Sequence, residues 1–304
     1  MVVSRLITPP APGRSQTSSP ARRRVQLSNT TVCVADTLTP KLAARALEIC
    51  LDRCDFEDAI LFSDKPVAGR FRNVKIEALR SLDDYSLFCL RQMPKLTTSE
   101  FVLVVQWDGY VVDPASWKSG FQKWDYIGAP IPSRTGPPTV GNGGFSLRSR
   151  KLLNALPSIP FFPRLGEDWI IAHVMKSALE EDFGIRFAPV ELAQRFSHEL
   201  SLPVGPTFGF HGVPNLPLYE SDATIIAMFE AIEPAKLVSN VFFVLLANCV
   251  GARRAQLAAD LYKIARRHFT ADGLLAKLAG SRLEQGGREL VLTLEKELSP
   301  RLDS

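Results

Sequence analysis

The stretch Phe101–Arg150, FVLVVQWDGYVVDPASWKSGFQKWDYIGAPIPSRTGPPTVGNGGFSLRSR, decides how this chain is read. It opens with five apolar residues, Phe101 to Val105. A run this short, ended by a turn signal, predicts a strand buried on both faces. The strand breaks into Gln106-Trp107-Asp108-Gly109, so an amide and a carboxylate emerge at its carboxyl end. The stretch closes on Gly141-Asn142-Gly143-Gly144, a backbone almost without side-chain bulk, and then on the strand-like Phe145-Ser146-Leu147-Arg148. Three of the four tryptophans, Trp107, Trp117 and Trp124, lie in the same stretch. Their rings can stack on a base or sugar face, or fill the core.

Toward the amino end, Thr31–Ala35 is a β-rich run that ends at Asp36, and Pro40–Asp52 has helical periodicity through Leu42, Ala46, Leu47 and Cys50. Asp58–Phe62 is a second such run, ending at Ser63-Asp64. A helix is expected in EALRSLDDYSLFCLRQMP, stopped by Pro94 just before the central strand. This alternation predicts an α/β fold with a mostly parallel central sheet flanked by helices. Ligands of such sheets bind in the crevice at the strands' carboxyl ends. Asp36, Asp64 and Asp108 would point into that crevice; for Asp36 and Asp64 the alternative is turn chemistry, since Asp accepts backbone hydrogen bonds just after a strand.

Toward the carboxyl end, Tyr126–Pro130 reads as a short strand and residues 132–138 as a loop. The Gly141–Gly144 segment can bring N–H groups to an oxyanion or a sugar hydroxyl, or make a plain hairpin turn. Glu167 and Asp168 open a helix carried by Ile170, Val174, Ala178 and Leu179 that stops near Gly184. Carboxylates there either cap the helix or serve as a general base. His173, inside that helix, reads as packing. Phe187–Val190 is expected to be a strand, and His211 sits in a loop between aromatic residues and glycines.

The chain has 304 residues, 46% of them hydrophobic, enough for a large core. Three regions are expected: a disordered leader over residues 1–28, an α/β domain over 29–219 and a helical appendage over 220–304. The leader is rich in Pro, Ser and Arg and has no acidic residue. An organellar transit peptide shares that composition, but Pro9, Pro10 and Pro12 oppose the helix it needs. The net charge of +4 is carried largely by Arg5, Arg14, Arg22, Arg23 and Arg24, which argues against a nucleic-acid partner. The longest apolar run, Val241–Val250, is about half a membrane span. Five cysteines without paired CxxC spacing point away from a disulfide framework and toward a reducing, cytoplasmic setting.

The order QxDG, DYIGAP, VGNGGFSLRSR, an ED pair opening a helix and then FGFHG resembles a glycosyltransferase-like domain family of unassigned substrate. More distantly it is similar to GT-A-fold glycosyltransferases, over roughly residues 30–215. The resemblance implies a hexosyltransferase-like enzyme that moves a sugar from a nucleotide-sugar donor to a hydroxyl of a glycan, protein or small molecule. It implies a divalent cation, Mn²⁺ rather than Mg²⁺, on Asp108 and His211. Gln106-Trp107-Asp108 stands where that family carries Asp-x-Asp, with Gln106 in place of one carboxylate. Substrate binding would then fall to Asp36, Asp64, Gln106, Trp107 and the segment Gly141, Asn142, Gly143 and Gly144. Asp168 or Glu167 would be the catalytic base. The alternatives are a nucleotidyltransferase and a non-catalytic carbohydrate-binding or scaffold protein.

Overall fold

β1 (Val25–Ala35), α1 (Pro40–Arg53) and β2 (Cys54–Ser63) form a β-α-β unit in which the two strands pair in parallel and α1 packs on both. These elements belong to a computed structural model that describes residues 24–132, 136–281 and 283–302. The described residues fall in two compact units that divide at Gly212/Val213. Of the expected leader, residues 1–23 lie outside the described residues, and residues 25–28 are part of β1.

The first unit is built on a six-stranded sheet. β3 (Arg72–Lys75) extends β2, and β4 (Phe101–Val104) lies on the other side of β1. Next come β5 (Tyr126–Gly128), a small ribbon of β6 (Pro130–Ile131) and β7 (Thr139–Val140), and β8 (Ser146–Ser149). The order is β3-β2-β1-β4-β8-β5. β1 to β4 are parallel, whereas β8 is antiparallel to both β4 and β5. The sheet is therefore mixed, and the expectation of a mostly parallel one is met only on the β1–β4 side. The physical reason is the connection from β4 to β8: among the described residues it carries no crossover α-helix, only turns, short 3₁₀ segments and the short strands β5 to β7. β4 has the burial expected of a central strand, with Phe101 to Val105 all at 5% exposure or less. Each such side chain contributes about 1.5–3 kcal/mol relative to exposure.

The helix before β4 does not stop at Pro94. It runs as α2 (Leu82–Leu87), a π-helical turn over Phe88–Gln92 and α3 (Met93–Leu96). The Met93 N–H reaches back five residues to Phe88 O. The widened turn starts a new α-helical turn at Met93, and Pro94 sits within its first two positions, where a missing N–H costs little.

After β8 come α4 (Arg150–Ala155), α5 (Glu167–Trp169), a second π-helical turn over Ile170–Val174, and α6 (Lys176–Phe183), which ends on Gly184 at φ 62°. The strand expected at Phe187–Val190 is reduced to one bridge between Phe187 and Tyr126. Pro189 and Val190 instead begin α7 (Val190–Phe196), because proline suits a helix start and supplies no donor to a ladder. β9 (Ser197–His198) then pairs in parallel with β10 (Gly209–Phe210).

The second unit contains the helices α8 (Leu216–Tyr219), α9 (Asp222–Glu230), α10 (Pro234–Leu237), α11 (Asn240–Gly251), α12 (Ala255–Arg266), α13 (Ala271–Leu278) and α14 (Glu284–Leu302). The apolar run Val241–Val250 is α11, which buries Phe242, Phe243, Leu245, Leu246 and Cys249. No helix among the described residues is long and apolar enough to cross a membrane.

Candidate active site

The strand order reverses direction beside β1: the chain goes outward to β2 and β3, then returns to place β4 on the opposite side. Crevices form at the carboxyl ends of the strands at such a switch. Asp36 leaves β1 and the Gln106–Gly109 turn leaves β4 at this point. The turn is tight, with the backbone groups of Gln106 and Gly109 bonded to each other at 3.2 and 3.0 Å. Because β8 is antiparallel to β4, with Ser146 opposite Val104, its preceding glycine segment arrives at the same end of the sheet. β10 adds the last piece: Gly209 bridges Val111, and the Gly212 N–H donates to Asp108 O at 2.9 Å, which sets His211 over the turn.

His211 is the hub of one half of the site. Its Nε2 lies 2.9 Å from Gln106 Oε1 and 3.5 Å from Asp108 Oδ1. Its Nδ1 lies 3.0 Å from Glu199 Oε1 and 3.1 Å from Asn142 Nδ2. Gln106 Nε2 in turn donates to Tyr85 Oη at 2.9 Å, which orients the amide oxygen toward the imidazole. Burial disfavours the imidazolium, but the charges and hydrogen bonds of Asp108 and Glu199 outweigh it and hold His211 well above the usual histidine range. The ring fits only because Gly144 lacks a side chain, since a Cβ there would sit 2.2 Å from His211 Nε2.

The acidic pair forms the other half. Glu167 Oε1 accepts from Arg148 Nη2 at 2.7 Å, with 0% of the Arg148 side chain and 5% of the Glu167 side chain exposed. Arg148 projects from β8, and its Nε donates to Ser146 Oγ at 3.1 Å. Asp168 accepts the Gly143 N–H on Oδ2 at 3.0 Å and the Trp169 N–H on Oδ1 at 2.7 Å. Burial, followed by the charge of Glu167, pushes Asp168 up to about 6, against the pull of those N–H groups and of Arg148. A carboxyl in that range is suited to accept a proton near neutral pH.

The glycine segment is thus shared. Asn142 and Gly144 face His211, while Gly143 faces Asp168 and Glu167. All four residues, Gly141 to Gly144, are buried by this packing rather than held open. Their lack of bulk serves the approach of protein side chains, not the open nest of N–H groups read from sequence. The other expected residues divide. Asp36 accepts the N–H groups of Leu38 (2.7 Å) and Thr39 (2.6 Å) and the Thr39 hydroxyl (2.8 Å), so its carboxylate is engaged in the turn into α1. Asp64 follows β2, one strand further from the switch point, and accepts a 3.4 Å bond from Ser63 Oγ. Trp107 lies half-buried in the turn beside Asp108. Trp117 packs edge-on against Phe121 and Phe208, and Trp124 lies under Arg186; both serve packing. Trp169 is 43% exposed and stacks on His173 at 3.9 Å beside Asp168.

Sequence reasoning missed Glu199, Tyr85 and Arg148. An arginine alternating with apolar residues in a strand is a usable signal for Arg148; Glu199 and Tyr85 carry none, because only tertiary pairing brings the residue after β9 and the α2 side chain to His211 and Gln106.

Asp108, His211 and the amide oxygen of Gln106 are the residues that would hold a divalent cation, and His211, held protonated by Asp108 and Glu199, would have to release its Nε2 proton to do so. Donor atoms of a six-coordinate metal lie about 3 Å apart, close to the 2.9 and 3.5 Å found around Nε2. Glu199 on the other ring nitrogen matches the carboxylate partner that metal-bound histidines keep. The set is lean: Glu199 and Asp108 address opposite nitrogens, and no group of three or more His, Cys, Asp or Glu able to hold a metal occurs among the described residues. Substrate phosphates would have to supply the remaining ligands.

Fold and site together define an α/β protein with a largely buried polar cluster at a strand-order switch, made of an imidazole centre and an acidic pair. A family model described as "Protein of unknown function (DUF5672)" matches residues 69–211, which include the Gln106–Gly109 turn, the glycine segment, the acidic pair, Glu199 and His211. No curated protein matches the chain.

Proposed function

We propose that this protein is a glycosyltransferase with a GT-A-like fold that moves a sugar from a nucleotide-sugar donor to a hydroxyl acceptor. The observation that carries the reading is the shared glycine segment. It joins the cluster of Gln106, Asp108 and His211, which in this reading faces the diphosphate, to the raised carboxyl of Asp168. In this reading Asp168 takes the acceptor hydroxyl proton as that oxygen bonds the anomeric carbon. The bond to the diphosphate breaks with its electron pair on the departing nucleoside diphosphate. Such a base contributes about 10²- to 10⁴-fold. A divalent cation held by Asp108, His211 and Gln106, Mn²⁺ rather than Mg²⁺, would neutralise charge on the leaving group. Trp107 and Asn142 would line the donor, and the exposed Trp169 ring beside Asp168 would face the acceptor. Five unpaired, buried cysteines support a reducing, cytoplasmic setting.

Gln106 in place of a carboxylate, and the dense internal bonding of His211, favour one second reading: a carbohydrate-binding module without turnover. The test is hydrolysis or transfer with UDP- and GDP-sugars by the purified protein and its Asp108→Ala and Asp168→Ala variants. Nucleoside diphosphate release that falls in both variants supports the enzyme. Pyrophosphate release would make it a nucleotidyltransferase, and turnover unchanged in both variants would refute the site.

A further inference from the structure

We propose that Arg148 is a positioning residue of this site: it holds Glu167 turned inward and steadies Gly143 against Asp168, leaving Asp168 as the single carboxylate able to take the acceptor proton. This rests on the glycosyltransferase reading and divides the labour within its acidic pair.

A fully buried guanidinium is costly, and an apolar residue of similar size is often as stable or better. Arg148 therefore invites a reason beyond packing. Its fork serves three segments at once. Nε bonds Ser146 on β8, and Nη2 bonds both Glu167 Oε1 on α5 and, at 3.4 Å, the Gly143 carbonyl. The Ser146 hydroxyl donates to that same carbonyl at 2.9 Å. With its carbonyl held from behind, Gly143 presents its N–H forward to Asp168 at 3.0 Å. Space is tight as well: a Cβ on Gly143 would come 2.7 Å from Asp168 Cβ, 2.7 Å from Glu167 Oε1 and 3.1 Å from Arg148 Nη2.

α5 is fixed from its other side. Ser86 Oγ donates to Leu165 O at 3.1 Å, and Asp83 Oδ1 accepts the Arg164 N–H at 2.6 Å. Arg164 holds φ 66°, a costly angle for a side chain other than glycine. The approach to the acidic pair is thus over-determined from α2 and from β8. Glu167, paired and enclosed, cannot reach an acceptor without unpairing a buried arginine. The charged and titratable groups that face Asp168 are Glu167 beside it, Arg148 from β8 and Tyr126 from β5, whose own hydroxyl is pushed up by burial.

The experiment compares Glu167→Gln, Arg148→Lys and Asp168→Asn by two readouts. One is the pH profile of UDP- and GDP-sugar hydrolysis. The other is the carboxyl titration of Asp168 followed by ¹³C NMR in the ligand-free protein, with Asp168→Asn identifying the resonance. Glu167→Gln keeps an oxygen for Arg148 and removes a neighbouring negative charge. The Asp168 midpoint and the acid limb of the rate profile should fall together by about one unit, with less than about tenfold loss of rate. Arg148→Lys keeps the charge, but one ammonium cannot serve all three segments. Here kcat should fall about tenfold or more with little change in KM, and the Asp168 midpoint should rise as the Gly143 bond loosens. Glu167→Gln as inactive as Asp168→Asn would make Glu167 the base and overturn the proposal. So would Arg148→Lys with rate and midpoint unchanged. If the parent turns over no sugar nucleotide, the glycosyltransferase reading fails and the titration alone decides: an Asp168 midpoint that moves in both variants keeps the positioning role, and one that moves in neither removes it.

Discussion

Replacing Gly144 by alanine drives a methyl group into the His211 ring. An ideally placed Cβ would lie 2.2 Å from Nε2, 2.4 Å from Cδ2 and 2.5 Å from Cε1, whereas nonbonded carbons settle at about 3.5–4.0 Å. The ring must withdraw by roughly 1 Å to reach that separation. That movement breaks its contacts with Gln106 at 2.9 Å and Glu199 at 3.0 Å. A hydrogen bond to a charged group contributes about 1.5–3 kcal/mol and a neutral one about 0.5–1.5. The His211 side chain is 14% exposed, so water recovers part of the loss. The expected destabilisation is about 2–4 kcal/mol, or roughly 4–16 °C in Tm for a unit of this size. Thermal unfolding measures it, and ¹H–¹⁵N correlation of the imidazole nitrogens reports whether His211 has moved. A Tm within about 2 °C of the parent, with the His211 resonances in place, would refute the claim that Gly144 exists to admit this ring.

Asp36→Ala removes the acceptor for two backbone N–H groups and the Thr39 hydroxyl, so it should cost about 1–2 kcal/mol in urea unfolding; a loss of sugar-nucleotide binding instead would make Asp36 a ligand residue. Glu167→Met leaves the Arg148 charge buried without its carboxylate and should cost about 3–5 kcal/mol, while adding Arg148→Met should recover most of that; costs that simply add would contradict the pairing. Asp168 is raised in the folded state above its unfolded value, so the folded protein holds the extra proton. That contribution to stability is full below the unfolded carboxyl value and is lost as pH rises through about 6. Turnover should rise through the same window as the base ionises, and Asp168→Asn should flatten both limbs in pH-dependent unfolding and rate measurements.

The parts of the fold legible in the sequence are those set by local periodicity. β4 is an uninterrupted apolar run, and α1 carries its buried face at helical spacing, so both lie within a residue or two of their expected bounds. The reversal of β8 was not legible, because strand direction is fixed by what the connection does in space. Pro94 misled for a similar reason: a π-helical turn absorbs the proline, and such a turn leaves no periodic mark over five residues. In the site, Asp108, His211, Asn142 and the acidic pair stand in motifs with polar breaks, and the structure brings them to one end of the sheet. Asp36 followed the bland alternative of a turn cap. Glu199 and Arg148 were missed because their roles depend on partners 12 and 19 residues away.

In the proposed function Asp108 and His211 take a sugar nucleotide together with a divalent cation. The most direct measurement is a thermal-shift titration of the parent and of Asp108→Ala with UDP- and GDP-sugars, with and without Mn²⁺. At 100 times the dissociation constant, bound ligand adds about 2.7 kcal/mol of stability. A Mn²⁺-dependent rise in Tm of several degrees with at least one sugar nucleotide, absent in Asp108→Ala, is the predicted result. No shift with any of them, with or without Mn²⁺, would contradict it.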